Sequence, residues 1–141
     1  ADEKIEMLFA KFNEGCRESG RDPSQAIKQL QIHISWADTD DEALDNAMRE
    51  WPNGGMPFPK QDIHNPEDFE AMAKLVRPEH FRNRVLISAD LDEHAAHIQR
   101  YVEMGFDEIY VHNVGRNQAE FIRAFGERVL PSLKLGEPIA A

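Results

Sequence analysis

The chain has 141 residues, 41% of them hydrophobic and 30% charged, proportions that exclude disordered, collagen-like and membrane-spanning classes. No apolar run nears the roughly 18 residues of a membrane helix, and no basic start with an apolar stretch marks a secretory leader, so a cytoplasmic protein is expected. A net charge of −10 argues against nucleic-acid binding, which draws on clustered Lys and Arg.

Apolar residues at helical spacing (Ile5, Leu8, Phe9, Phe12, Cys16) predict a first helix that stops near Gly20. The lone Cys16 belongs to that helix; it has no disulfide partner and lacks the paired spacing of a zinc or redox site. Leu30, Ile32, Ile34 and Trp36 then alternate with Gln31, His33 and Ser35, which is the period of a strand. Thr39 opens a Thr-x-x-Glu capping box and predicts a helix over about 40–50. Residues 51–65 hold three prolines and two glycines and read as a long, irregular, substrate-side loop.

Asn65-Pro66 suits a helix start, with its end near Val76. "RVLISAD" reads as a short strand, Asp90 with Glu93 caps the next helix, and Gly105 closes it. "FDEIYVHN" is the last strand, ending in His112 and Asn113, two groups able to bind a ligand. A helix over about 117–129, a stop at Pro131 and a poorly ordered tail over 135–141 complete the chain.

Strands separated by helices argue for a parallel sheet with right-handed crossovers. Ligands of such sheets bind beyond the carboxyl ends of the strands, where His112 and Asn113 stand. Three parallel strands leave open edges, and a closed (β/α)8 barrel takes about 250 residues. Residues 1–141 are therefore expected to form one partial domain.

Two features point to chemistry. If Leu30, Ile32, Ile34, Ile109 and Val111 pack outward on helices, then Gln31, His33, Ser35, Arg84, Ser88, Tyr110 and His112 face the barrel interior. There they either contact a ligand or satisfy one another; His112 is the stronger candidate, since His33 is expected deeper in its strand. Lys60 and Arg84, in an acid-rich chain, either hold an anion together or pair at the surface with Asp62 and Glu79. His94 and His97 lie three apart on a helix expected to be exposed, without a third ligand, and read as solvated surface rather than metal site. The acids of "DTDDE" read as helix capping, and no glycine-rich phosphate loop or serine triad is present.

"QIHISWADTDDEAL", "HNPEDFEAMAKLV" and "RVLISADLDEHAAHIQRYVEMGFDEIYVHNVGRNQAEFIRAFGERVLPSL" together resemble the C-terminal half of the luciferase-like flavin and deazaflavin oxidoreductases. The similarity is closest to the coenzyme F420-dependent glucose-6-phosphate dehydrogenase group. The resemblance implies an α/β protein with a (β/α)8 TIM barrel, this chain supplying the last three strands and their helices. It implies an oxidoreductase passing hydride between deazaflavin and a small alcohol or sugar phosphate, with FMN-dependent monooxygenation as the alternative within the superfamily.

Lys60 and Arg84 match two basic residues that hold the sugar phosphate in that group, and Trp36 and His112 would be rim contacts. No catalytic residue falls in this chain: the cofactor-binding strands, the catalytic histidine and acid and a third basic ligand belong to the N-terminal half. F420, or FMN, would thus be bound mainly there, and this part alone would be inactive. Arg116 departs from the group at the mouth, where a smaller or different residue stands. A homodimer or pairing with the complementary half is implied, and a non-catalytic half-barrel that assembles with a partner chain is the rival reading.

Overall fold

The computed structural model describes residues 2–61 and 63–136; Asp62 and residues 137–141, the last part of the expected tail, lie outside the described residues. Helix α1 (Asp2–Glu18) leads to strand β1 (Gln29–Ser35), followed by helix α2 (Asp40–Glu50) and a four-residue helical turn, α3 (Pro52–Gly55). Helix α4 (Pro66–Ala73), the two-residue strand β2 (Leu86–Ile87) and helix α5 (Leu91–Glu103) come next. Strand β3 (Glu108–Asn113) and helix α6 (Gln118–Ala124) follow, and a π-helical turn at Phe125–Val129 carries the last helix onward.

Local chemistry sets these bounds. Thr39 accepts from the Glu42 N–H at 3.2 Å and starts α2 where the capping box predicts. Asp90 accepts from the N–H groups of Asp92 and Glu93 and starts α5. Gly20 (φ 70°) and Gly105 (φ 90°) take up the left-handed conformation that ends α1 and α5.

All strand pairs are parallel, as the alternation of strands and helices predicts, but their order is β2-β1-β3. Consecutive barrel staves would each pair with the next in sequence. Here β1 pairs with β3 along six residues, Gln29–Ile34 against Glu108–Asn113, and β2 meets only Ile34 and Ser35 on the opposite side. The predicted strand "RVLISAD" is thus mostly loop, and Gln29–His33 of β1 pair on one side alone.

Strand alternation divides the molecule. Ile32, Ile34 and Trp36 turn to one face, with Leu30, Ile109 and Val111 beside them, and pack against Ile98 of α5, Phe121 of α6, and Phe125 and Val129. Full burial of each such side chain contributes roughly 1.5–3 kcal/mol. A second cluster gathers Ala47, Met56, Val76, Phe81, Val85 and Val114 around α2, α3 and α4. The stretch 51–65 is therefore partly ordered by packing: a Cβ on Gly54 would meet Trp51 Cδ1 at 2.7 Å, and one on Gly55 would meet Val76 Cγ1 at 2.7 Å. Its glycines are needed for close approach rather than for unusual backbone angles.

Candidate functional site

The polar residues of the strands turn away from the helices that cover Ile32 and Ile34. The pairing register puts His33 directly opposite His112, level with it rather than deeper. Their Nδ1 atoms lie 2.9 Å apart, so one Nδ1–H donates to the other's lone pair. Trp51, from the end of α2, covers both rings, with its centroid 4.8 Å from His33 and 5.1 Å from His112. Desolvation, and then the neighbouring His112, push the His33 pKa below its ordinary value.

Around this cluster the same face carries Gln31 and Tyr110, both exposed. The Tyr110 hydroxyl donates to Glu108 Oε2 at 2.9 Å, and that carboxylate holds the phenol pKa above its ordinary value. Ser35 is wholly buried and donates to the Ala43 carbonyl at 2.6 Å, so it ties β1 to α2 rather than meeting a ligand. Ser88, also buried, accepts from the Asp90 N–H at 3.1 Å and supports the start of α5.

Lys60 and Arg84 line one shallow cleft of about 520 Å³ with Met56, Pro57, Phe58 and Gln61. Arg84 donates to the Met56 carbonyl at 2.6 Å, and Lys60 donates to the Asn53 Oδ1 at 2.7 Å and carbonyl at 3.0 Å. Among the described residues neither cation forms an ion pair, so the surface pairing with Glu79 is not seen; Asp62 lies outside those residues. The cations are held by neutral oxygens, and no carboxylate among the described residues neutralises them. Arg84 also borders the cleft along the open side of β1, where Gln31 and His33 lie.

Three sequence readings are corrected. Trp36 is not a rim contact: it is 6% exposed, meets Phe125 edge-on at 6.2 Å, and donates from Nε1 to the Ala89 carbonyl at 3.2 Å. Its place in the Leu30–Ile32–Ile34 alternation already put it on the outward apolar face. Asn113 is committed to structure: Oδ1 accepts from the Trp36 N–H at 2.8 Å, and Nδ2 donates to Asn117 Oδ1 at 3.1 Å. Asn117 in turn donates to the Trp36 carbonyl at 3.0 Å, closing a ring of bonds that holds the ends of β1 and β3 together.

His94 is the third correction: it is wholly buried, with Nε2–H donating to the Ser88 carbonyl at 2.9 Å and the ring 5.4 Å from Phe125. Desolvation pushes its pKa down, against opposing contributions from Ser88, Glu93 and Asp90. Arg116 points to Glu50, with Nε 2.9 Å from Oε1, so it braces the turn after β3 against the end of α2.

Trp51 is the site residue that local pattern did not reveal. It stands between a helix end and Pro52, and nothing nearby marks its contact with residues 33 and 112. Only the register of β1 on β3 brings those two rings beneath it.

The sequence profile of the luciferase-like monooxygenase family matches residues 1–108. An F420-dependent glucose-6-phosphate dehydrogenase of Microbacterium testaceum is 29% identical over 129 residues, which is 92% of this chain and 38% of that protein. F420-dependent glucose-6-phosphate dehydrogenase 1 of Rhodococcus jostii is 31% identical over 130 residues, again 92% of this chain and 38% of the relative. Among solved structures, an F420-dependent secondary alcohol dehydrogenase in complex with an F420-acetone adduct superposes with a TM-score of 0.73 at 26% identity. That match covers 89% of this chain and 38% of the other. The chain thus spans under two fifths of the length of these relatives, and its fold fits part of a TIM barrel. With the family profile matched over residues 1–108, the chain belongs to the luciferase-like monooxygenase family.

Proposed function

We propose that this chain is the C-terminal part of a coenzyme F420-dependent oxidoreductase, which moves hydride between the deazaflavin and a small alcohol or sugar phosphate. The observation that carries the reading is the similarity to F420-dependent dehydrogenases along 92% of the chain. The cleft that Lys60 and Arg84 share supports an anionic substrate group, since both cations are free of carboxylate partners among the described residues. Arg would grip the anion through its planar fork and Lys as a point charge.

The deazaflavin supplies the hydride chemistry when bound. The cofactor's ring is assigned to the rest of the barrel, where the resemblance places the cofactor-binding strands. His112 and the shared cleft form part of the substrate wall. A homodimer is proposed on the resemblance alone.

Titration of the complete protein with F420, followed by the cofactor's fluorescence, tests the reading. Saturable change at micromolar concentration is expected; no change contradicts it. The monooxygenase description of the matched family favours one second reading, an FMN enzyme of the same barrel type. Flavin absorbance in the purified complete protein would decide for it.

A further inference from the structure

We propose that His33 and His112 work as one proton-sharing unit that hydrogen-bonds a hydroxyl or carbonyl oxygen of the substrate on the inner face of the sheet. The choice of ligand rests on the reading above; the unit itself rests on geometry.

Two nitrogens of the same type 2.9 Å apart cannot both carry a proton or both lack one without repulsion. In the neutral pair, one imidazole has its hydrogen on Nδ1 and donates it to the other. The donor then has a bare Nε2, which accepts, and its partner has Nε2–H, which donates. Among the described residues neither Nε2 has a hydrogen-bond partner. The pair therefore presents one acceptor and one donor at its two opposite ends, because Nδ1 atoms 2.9 Å apart and ring centroids 5.1 Å apart turn the Nε2 atoms away from each other. An alcohol hydroxyl, which both gives and takes a hydrogen bond, suits the Nε2 of either end.

The surroundings keep the unit in this form. Trp51 covers both rings and limits water on that side. The cleft beside His33 carries Arg84 from before β2, His97 and Arg100 from α5, and Asp2 and Glu3 from α1. None of these is hydrogen-bonded to either ring, and the one polar contact of each ring among the described residues is with the other. A first added proton is shared across the 2.9 Å bond and leaves an Nε2–H donor at each end, either one suited to a carbonyl or oxyanion; a second places like charges face to face. The pair therefore takes up its two protons in separate steps.

Ring-nitrogen NMR of the complete protein, with 15N-labelled histidine, reads the unit directly. One Nδ1–H and one Nε2–H imidazole are expected at neutral pH, joined by a coupling across the Nδ1–Nδ1 bond. In His112→Gln, His33 should lose that coupling and titrate closer to its ordinary value; His33→Gln is the reciprocal variant. Two independent Nε2–H rings overturn the unit. Propan-2-ol, acetone and glucose 6-phosphate are the ligand probes. At least one should shift the Nε2 signals, and His112→Gln should raise its KM about tenfold with a smaller change in kcat. If no probe shifts them while F420 binds, the ligand assignment is overturned and the F420 reading stands. If a probe shifts them while F420 fails to bind, the proposal is supported and the F420 reading fails.

Discussion

Asn113, the last residue of β3, accepts the backbone N–H of Trp36, just past the end of β1, at 2.8 Å. This one bond joins chain segments 77 residues apart and fixes where both strands stop. Asn113 is 1% exposed and Trp36 6%, so water cannot readily replace this bond.

Replacing Asn113 by Ala is expected to destabilise the fold by about 2–3 kcal/mol, because it leaves the Trp36 N–H buried without an acceptor and frees Asn117. Asn113→Asp keeps the acceptor but loses the bond donated to Asn117 and buries a charge, so it should cost at least as much. Urea midpoints of the two variants check both statements.

Gly54→Ala should displace Trp51, since the new methyl would stand 2.7 Å from its Cδ1 and 3.0 Å from Val85 Cγ2. The expected cost is about 1–3 kcal/mol, the usual range for overpacking. Near-ultraviolet circular dichroism should change with it, because the indole leaves the two imidazoles. An unchanged spectrum would mean that the turn absorbs the methyl without moving Trp51.

Acid should weaken the protein through His94. Its folded pKa lies below the unfolded value, so the fold holds it neutral, which costs nothing above about pH 6.5 and weakens folding as pH falls below that. The unfolded chain takes up the proton first, and stability then drops by up to about 1.4 kcal/mol per pH unit for one group. His33 and His97 are lowered too and act with the same sign, less strongly because both are only part-buried. Denaturation midpoints at pH 7.5, 6.5 and 5.5 should fall in order, and His94→Gln should flatten the trend.

Arg84→Ala and Lys60→Ala should each weaken binding of glucose 6-phosphate by about tenfold or more, the loss of one charge-assisted hydrogen bond at about 1.5–3 kcal/mol. Propan-2-ol, which carries no anion, should be much less affected. Lys60→Ala is the cleaner variant, because Arg84 also holds the Met56 carbonyl. Equal effects on both ligands would place the cations outside the substrate site.

Much of the fold could be read because local rules and packing agree. The Thr39 cap that the Thr-x-x-Glu spacing marks set α2, and the alternation through β1 separated the face of Ile32 and Ile34 from that of His33. The same logic was available for His94: with Leu91, Ala95 and Ile98 it repeats at helical spacing on the buried face of α5. A histidine on an apolar stripe is a core residue unless something else marks it. Two features had no local signal. The order β2-β1-β3 follows from which strand β1 prefers on each side, and hydrophobic pattern does not encode neighbours. The meeting of Lys60 with Arg84 depends on how 51–65 folds over Phe81 and Val85, a matter of tertiary packing.

Turnover reads the proposed hydride transfer itself. The complete protein is mixed with oxidised F420 and, in turn, glucose 6-phosphate and propan-2-ol, and the visible absorbance of the deazaflavin is followed. Bleaching with at least one substrate, at a rate set by enzyme concentration, is the predicted result. Unchanged absorbance with both, from a preparation that instead carries bound FMN and oxidises reduced flavin with oxygen, would contradict it.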